Sequence, residues 1–482
     1  MTPNLGLSFF IPELISVGLL AYFLIEAILA SPTKKNSCSI FSQLAVGAVI
    51  LGASLFFSSQ KFGSGFGGMV TADPFAFYFK VFLTAVFFVI TFISREFFKG
   101  FGSKQQEFGL VLWCSLIGLY FLASATHLLV LFVALEILTM SLYILATYGR
   151  LTNSAQSTAS IEAGLKYLIM GSIASGFTIF GIALVYMQTG ALSFLEIAAS
   201  KQTLFGSQLG LLALLFVFSG LAFKVASFPF QLWVPDVYQG SPAPVSAYMS
   251  VASKAAGFLL IIRFFNLTVG PLDEHWKIAI VVLSLLSLLY GNLGALAQTS
   301  FKRLMGYSSI GHAGYLLLAI AAGTNLSLTS ILGYFPGYAA STLAIFYVIT
   351  LVEKATGSDA TENFEGLSKT SPFLSATLFI ALLSLAGVPP LAGFMGKFWI
   401  LFSGLQAGLG WLVMVGSAMV VVGLYYYLSI AVKMIFREPK FKTEIHIPIS
   451  AKLILLALTL LSLSLGLLQG PLMRIAATAA GS

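Results

Sequence analysis

Lys224 in AFKVASFPF, Lys254 in MSVASKAAGFLL and Lys397 in FMGKFWIL each interrupt an apolar run, as do Glu136 in LFVALEILTM and Lys166 in EAGLKYLIMG. Amines and an acid in such settings point to proton transfer. Removal from water disfavours the charged form of an amine, and a carboxylate drawn close favours it again. An acid that moves relative to a lysine can therefore load and unload a proton, which an arginine cannot match because its guanidinium does not deprotonate. His312, in GYSSIGHAGYLLL, has Ser308, Ser309 and Tyr315 at helical spacing. Its two distinct ring nitrogens suit a relay between lysines. The plainer alternatives are ion pairs that brace helices, a Lys166 stem reaching the interface, and a histidine satisfied by a serine alone. Against simple pairing, Lys224, Lys254 and Lys397 share one clear carboxylate, Glu136.

The elements that must position these groups are membrane helices. Of the 482 residues 58% are hydrophobic and 9% charged, with a mean hydropathy of +0.96; a soluble domain carries about 25% charged residues. Apolar stretches of about twenty residues recur, each long enough to cross roughly 30 Å of hydrocarbon as a helix. Only helices and closed barrels satisfy their backbone there, and these runs are too long and continuous for barrel strands. The fold class is therefore an all-α integral membrane bundle of about fourteen spans. They are expected near 8–29, 40–59, 74–94, 108–124, 127–148, 163–188, 206–228, 243–265, 276–297, 302–322, 328–352, 372–403, 411–436 and 451–470. The first is read as a retained helix, not a cleaved leader. An ionisable group at mid-bilayer costs about 2.5–3.5 kcal/mol on insertion scales. Five of them together cost on the order of 10 kcal/mol, comparable with the stability of a whole domain. Function is the natural reason to carry that burden.

Two spans are interrupted. Pro229 removes a backbone donor just past Lys224, and Gly387, Pro389, Pro390 and Gly393 break the run just before Lys397. Open backbone at membrane depth is tolerated only where it is buried in protein or lines a watery cavity. Paired broken helices in corresponding positions of two halves point to a transporter's ion site. The broken spans are the seventh and the twelfth, so 108–265 and 276–436 read as two five-helix repeats, and an odd number of helices per repeat makes them inverted. Three N-terminal helices (1–100) precede them, a helix and tail (451–482) follow, and residues 1–482 are expected to form one membrane domain.

Several chemistries are excluded. The two cysteines, Cys38 and Cys114, lie in no CxxC or histidine-rich setting, so neither a disulfide nor a metal or iron–sulfur site is expected. No dinucleotide fingerprint and no phosphate loop occur. The net charge of +8 reflects topology, not nucleic-acid binding. One set of alternate connections holds most of the Lys and Arg, including Lys34, Lys35, Arg95, Lys302, Arg303, Lys369, Arg437, Lys440 and Lys442. The other holds Lys61, Lys201, Arg263, Lys277 and Arg474. By the positive-inside rule the first set is cytoplasmic, and both termini face the periplasm. Tyr425, Tyr426 and Tyr427 read as an interfacial belt, a water path being the alternative. Glu13 and Glu26, near opposite ends of the first span, are given no role.

At this point the residues resemble the antiporter-like membrane subunits of respiratory complex I, over nearly the whole chain. The segments that carry the resemblance are LVLFVALEILTMSLYIL, SIEAGLKYLIMGSIASG, LAFKVASFPFQLWVPDVYQGSPAPVSAYMSVASKAAGF, QTSFKRLMGYSSIGHAGY, LAGVPPLAGFMGKFWIL and GLYYYLSIAVKMIF. FKVASFPFQLWVPDVYQGSPAPV is specific for a wider group that includes the multisubunit sodium/proton antiporters. The resemblance implies a glutamate in span five paired with a lysine in span seven, a central lysine in span eight and a terminal lysine in span twelve, joined by a hydrated axis. Glu136, Lys224, Lys254 and Lys397 fall on those positions, with Lys166 and His312 on further polar positions of the family. It implies a proton-translocating, non-redox subunit of an NADH-quinone oxidoreductase in a bacterial inner membrane, among other membrane subunits that include further antiporter-like ones. FMN, iron–sulfur clusters and quinone are expected in other subunits and no cofactor in this chain. A cation/proton antiporter subunit is the alternative.

Overall fold

The computed structural model describes residues 9–29, 40–58, 62–99, 104–151, 155–265, 274–440 and 445–481. Lys34, Lys35, Cys38, Lys61 and Lys442 lie outside the described residues. Apolar sequence in hydrocarbon folds as helix because the ladder satisfies each backbone polar group within its own segment. The helices are α1 Ile11–Leu29, α2 Ile40–Ser58, α3 Pro74–Phe97, α4 Lys104–Ser124, α5 Leu128–Ala146, α6 Ala155–Thr189, α7 Phe194–Ala199, α8 Lys201–Phe205, α9 Gln208–Val225, α10 Trp233–Gly240 and α11 Ala243–Tyr248. They continue as α12 Lys254–Phe264, α13 Glu274–Ala295, α14 Phe301–Ala322, α15 Asn325–Thr356, α16 Leu367–Thr370, α17 Pro372–Ala386, α18 Ala392–Gln406, α19 Gly410–Phe436, α20 Ile449–Leu467 and α21 Gln469–Ala480. A short antiparallel hairpin, β1 Gly63–Gly65 and β2 Val70–Ala72, precedes α3.

Among the described residues, thirteen helices are long and apolar enough to cross a membrane. The twelfth expected span is two fifteen-residue helices, α17 and α18. Caps fix several span ends. Asp73 Oδ1 accepts from the Ala76 amide at 2.7 Å at the start of α3. Ser300 caps α14, and Thr324 with Ser327 forms a capping box on α15. Each cap satisfies amides that have no partner in the first turn.

The chain divides into two compact units. The first takes its helices from within Met1–Thr91, Phe98–Val225 and Ala252–Leu272. In it α4 packs on α1 and α5, α6 on α5 and α9, and α12 on α9 and α4. The second takes Phe92–Phe97, Ala226–Val251 and the chain from Asp273 onward. There α14 packs on α10, α13 and α15, and α15 also meets α17, α18, α20 and α21.

Burial separates two kinds of span. The segment Ala243–Phe264 is wholly buried, and α14 and α15 are nearly so, whereas α1, α6 and α20 are mostly uncovered. The uncovered spans present Leu, Ile, Val and Phe outward, as a lipid-facing surface does. The covered ones carry the polar groups, Lys254, Lys302, Ser308, Ser309, His312, Ser341 and Glu353 among them. Polar side chains in membrane spans face protein because hydrocarbon offers them no partner.

Outside the membrane segments, ion pairs latch 361–369 to 437–440. Lys440 bonds Glu362, Arg437 Nη1 lies 2.6 Å from Glu365 Oε1, and Lys369 Nζ lies 2.5 Å from Glu438 Oε1. The Lys440 hydrogen bond, then its charge, holds the Glu362 carboxyl below the usual carboxylate range.

Candidate functional site

Lys224 sits in the last turn of α9, in the first unit. It is 3% exposed, and its Nζ makes no hydrogen bond to any described residue. Glu136, on α5, is the acid whose charge is felt there. Glu136 is half-buried and accepts from Ser175 Oγ on α6 at 2.5 Å, so its hydrogen bond goes to a hydroxyl and not to the amine. The helix stops because Ala226 turns to φ +60°, a left-handed conformation that costs a non-glycine residue roughly 1–2 kcal/mol. Past the break the backbone is re-satisfied locally: the Phe230 amide donates to Ser227 O at 2.8 Å and the Phe228 amide to Ser287 Oγ at 2.9 Å. The Phe228–Pro229 and Pro389–Pro390 peptides are both cis.

The second break, in the second unit, shows how a lysine can complete a helix end. Gly387, at φ +92°, ends α17 in the left-handed region where a side chain is strained. The last four carbonyls of a helix lack intrahelical donors. Here the Gly387 amide donates to Leu383 O and Ser384 O, and the Val388 amide to Leu383 O, the pattern of a Schellman cap. That leaves the carbonyls of Leu385 and Ala386. Lys397, on α18, donates its ammonium to both, at 2.7 and 3.3 Å. The amine also sits 5.2 Å from the Tyr315 ring centroid. The negative end of the α17 dipole favours a cation at this place.

Lys254 opens α12 directly after a π turn, Met249–Ser253, and is 2% exposed. π turns are rare and frequent at functional sites. In the second unit His312 is 3% exposed and bonded on both nitrogens. Tyr334 OH bonds Nδ1, and Tyr427 OH lies 3.3 Å from Nε2. Tyr427 also bonds Ser308, while Tyr338, its ring 5.1 Å from the imidazole, bonds Ser250 at 2.9 Å. Tyr315 lies 6.4 Å from the imidazole between centroids, its ring faces the Lys397 amine, and its hydroxyl donates to Gly416 O at 3.0 Å. The second unit thus gathers Ser250, His312 and Lys397 around buried tyrosines, with hydrogen bonds at His312 and a ring contact at Lys397. Tyr426 bonds Asn292 at 3.3 Å and is buried with Tyr427, whereas Tyr425 faces outward. The belt reading therefore fails for Tyr426 and Tyr427, because α19 turns them to the interior, while Tyr425 is exposed near the middle of that helix.

Lys166 lies elsewhere. It is half-exposed on α6 and pairs at 2.8 Å with Glu162 one turn earlier.

Two buried pairs escaped the sequence reading. Lys302 Nζ lies 2.8 Å from Glu353 Oε1 and 3.2 Å from Ser241 O. It reads as a loop cation because it begins a span beside Arg303. Lys80 bonds Glu13, both at most 3% exposed. Lys80 interrupts PFAFYFKVFLTAV as Lys224 does its own run, and that signal was available. Among the described residues no cluster of His, Cys, Asp and Glu could hold a metal ion.

Known proteins bear on this arrangement. The family described as "NADH:quinone oxidoreductase/Mrp antiporter, TM" matches residues 125–423. A relative from Chlorobium chlorochromatii, NADH-quinone oxidoreductase subunit N, is 35% identical over 98% of this chain and 94% of its own. A chain of respiratory complex I from Thermus thermophilus with bound aureothin superimposes with a TM-score of 0.82 at 31% identity, over 97% of this chain and 100% of that one. A chain of the Mrp complex from a Dietzia species gives a TM-score of 0.85 over 100% and 97%, and its 20% identity speaks for the fold alone. Glu136, Lys224, Lys254, His312 and Lys397 all fall inside the matched stretch, and the chain belongs to the NADH:quinone oxidoreductase/Mrp antiporter family of antiporter-like membrane proteins.

Proposed function

We propose that this chain is a proton-translocating, non-redox membrane subunit of an NADH-quinone oxidoreductase, working through Glu136, Lys224, Lys254, His312 and Lys397. The observation that carries the reading is Lys224: a buried amine with no hydrogen bond from the described residues and one acid, Glu136, within electrostatic reach. An acid approaching an amine strengthens the amine's hold on its proton, and withdrawal weakens it. A signal from a neighbouring subunit that shifts Glu136 relative to Lys224 releases the Lys224 proton. The proton passes to Lys254, along the tyrosine-bonded His312, and leaves by Lys397, while Lys166, paired with Glu162 on the exposed side of α6, stands outside the row. Redox energy comes from subunits that carry FMN, iron–sulfur clusters and quinone; this chain holds none. It lies multi-pass in a bacterial inner membrane, termini toward the periplasm, beside other membrane subunits of the complex.

Lys224→Ala and Glu136→Ala are expected to depress proton pumping by the assembled complex reconstituted in liposomes. Full assembly with unaltered pumping would remove the mechanism. A second reading, a subunit of a multisubunit cation/proton antiporter, is favoured by a family description that spans both systems. Co-purification with peripheral NADH-oxidising subunits decides for the first, and purification without them for the second.

A further inference from the structure

Across the second break the two helices cap each other. α18 supplies Lys397 to the last carbonyls of α17, Leu385 O and Ala386 O. In return α17 supplies Ser384 to α18. The first amides of a helix have no partner in their own ladder, and Leu391, at the N-cap of α18, bonds none of them through its side chain. Ser384 Oγ instead accepts from the Gly393 amide at 3.2 Å. Gly393 stands one turn before Lys397, about 6 Å along the axis, and the carbonyls that seat the amine belong to the two residues after Ser384. One residue therefore touches both sides of the seat.

Ser384 is itself held from outside the break. It is wholly buried, and its hydroxyl oxygen lies 2.8 Å from Ser341 Oγ on α15 and 3.0 Å from Ser462 Oγ on α20. A hydroxyl has one proton and two lone pairs, so with the Gly393 amide its capacity is filled. One turn after Ser462, Gly466 lets α20 lie against the break: a Cβ there would meet Pro390 O at 1.9 Å. α20 is mostly uncovered, and its few buried positions include Ser462 and Gly466. The covered part of this outer helix is thus fitted to the break.

We propose that Ser384, steadied by Ser462, is the positioning residue of the Lys397 seat. Its bond to Gly393 sets how the start of α18 stands against the end of α17, and so whether the ammonium reaches both carbonyls together. Carbonyls that bond an ammonium favour it over the neutral amine, so a displaced seat changes the pH range over which Lys397 takes up and releases its proton. Ser384 passes no proton along the row and acts through Lys397 alone. The role rests on the reading of Lys397 as a station of proton transfer.

The test uses the whole complex in liposomes, with assembly, NADH oxidation and protons moved per NADH measured across pH. Ser384→Ala unpairs the Gly393 amide and leaves the Lys397 side chain unaltered. Its expected result is an assembled complex that oxidises NADH with a lowered proton ratio and a pH profile of pumping displaced from that of the wild type. A brace would lower assembly and leave the ratio and profile of each assembled complex unchanged, and that result overturns the proposal. If Ser384→Ala fails to assemble, Ser462→Ala removes the outer support and keeps the Gly393 bond; a lowered ratio there supports the proposal and an unchanged one overturns it. Lys397→Met, run in parallel, separates the two ideas: if it lowers the ratio and the serine variants do not, only the positioning role fails, and if it leaves the ratio unchanged the lysine row fails with it.

Discussion

Lys224 and Lys397 are both attached to interrupted helices, yet they are held in opposite ways. The amine of Lys397 is seated on the carbonyls of Leu385 and Ala386 and faces the Tyr315 ring. The amine of Lys224 is equally buried but receives nothing from the described residues, and its acid neighbour is engaged with Ser175. A seated cation completes a structure; an unseated one is a charge whose cost stays unmet until an acid comes near. The mechanism proposed above needs a switch and a station, and the contrast suits the first break to one and the second to the other.

The sharpest way to break this comparison is to fill the space at each interruption. A Cβ on Gly393 would lie 1.8 Å from Ser384 O, a backbone atom that cannot yield. A Cβ on Gly257 meets the Val225 side chain at 2.7 Å, with backbone no nearer than 3.3 Å. Gly393→Ala is expected to cost about 3 kcal/mol or more and Gly257→Ala about 1 kcal/mol, the ends of the overpacking range. Thermal unfolding of the purified complex measures both, and equal losses would mean the two breaks are packed alike.

Next come the lysines themselves. Lys397→Met strands two helix-end carbonyls and is expected to destabilise by about 1–3 kcal/mol, whereas Lys224→Met removes an unsatisfied buried group and is neutral or stabilising. Both are expected to depress pumping. A melting temperature that falls equally in both variants would contradict the assignment of a seat to only one.

Tyr334→Phe takes one partner from His312 and is expected to cost about 1 kcal/mol. Pumping slows while NADH oxidation in uncoupled vesicles does not; a matched fall in both would point to lost assembly and not to the relay. The smallest effect belongs to the loop latch. Because Glu362 is held below its usual range by Lys440, the latch is complete above the ordinary carboxylate range and is lost as pH falls through the lowered folded value. Amide exchange across 361–369 is expected to quicken on acidification in the wild type and to quicken less in Glu362→Gln once the intrinsic rate is removed, the Glu365 and Glu438 pairs remaining.

Much of this was legible in the sequence. Each expected span carries helix, since twenty apolar residues have few other ways to satisfy their backbone. The breaks showed because proline and glycine act locally. Burial of Lys224, Lys254, His312 and Lys397 showed too, as each stands amid apolar neighbours. Lys166 did not follow: with Glu162 one turn away, it forms a surface pair that a hydropathy profile cannot distinguish from a buried amine. The seat of Lys397 was illegible, because it depends on which carbonyls the Gly387 turn leaves over. Glu13 and Lys80 are 67 residues apart, and nothing in either segment names the other. Lys302, counted as a loop cation, is buried because α14 begins inside the protein against α10.

The π turn before Lys254 has a consequence for how this segment can change. A wide turn holds one residue more than an α ladder requires, so Met249–Ser253 stores a spare position inside a span with no free face. Removing one residue there lets the ladder close and leaves both flanks in their present orientation. The same deletion one turn later swings everything beyond it by about 100°, carrying side chains fitted to one set of neighbours onto another.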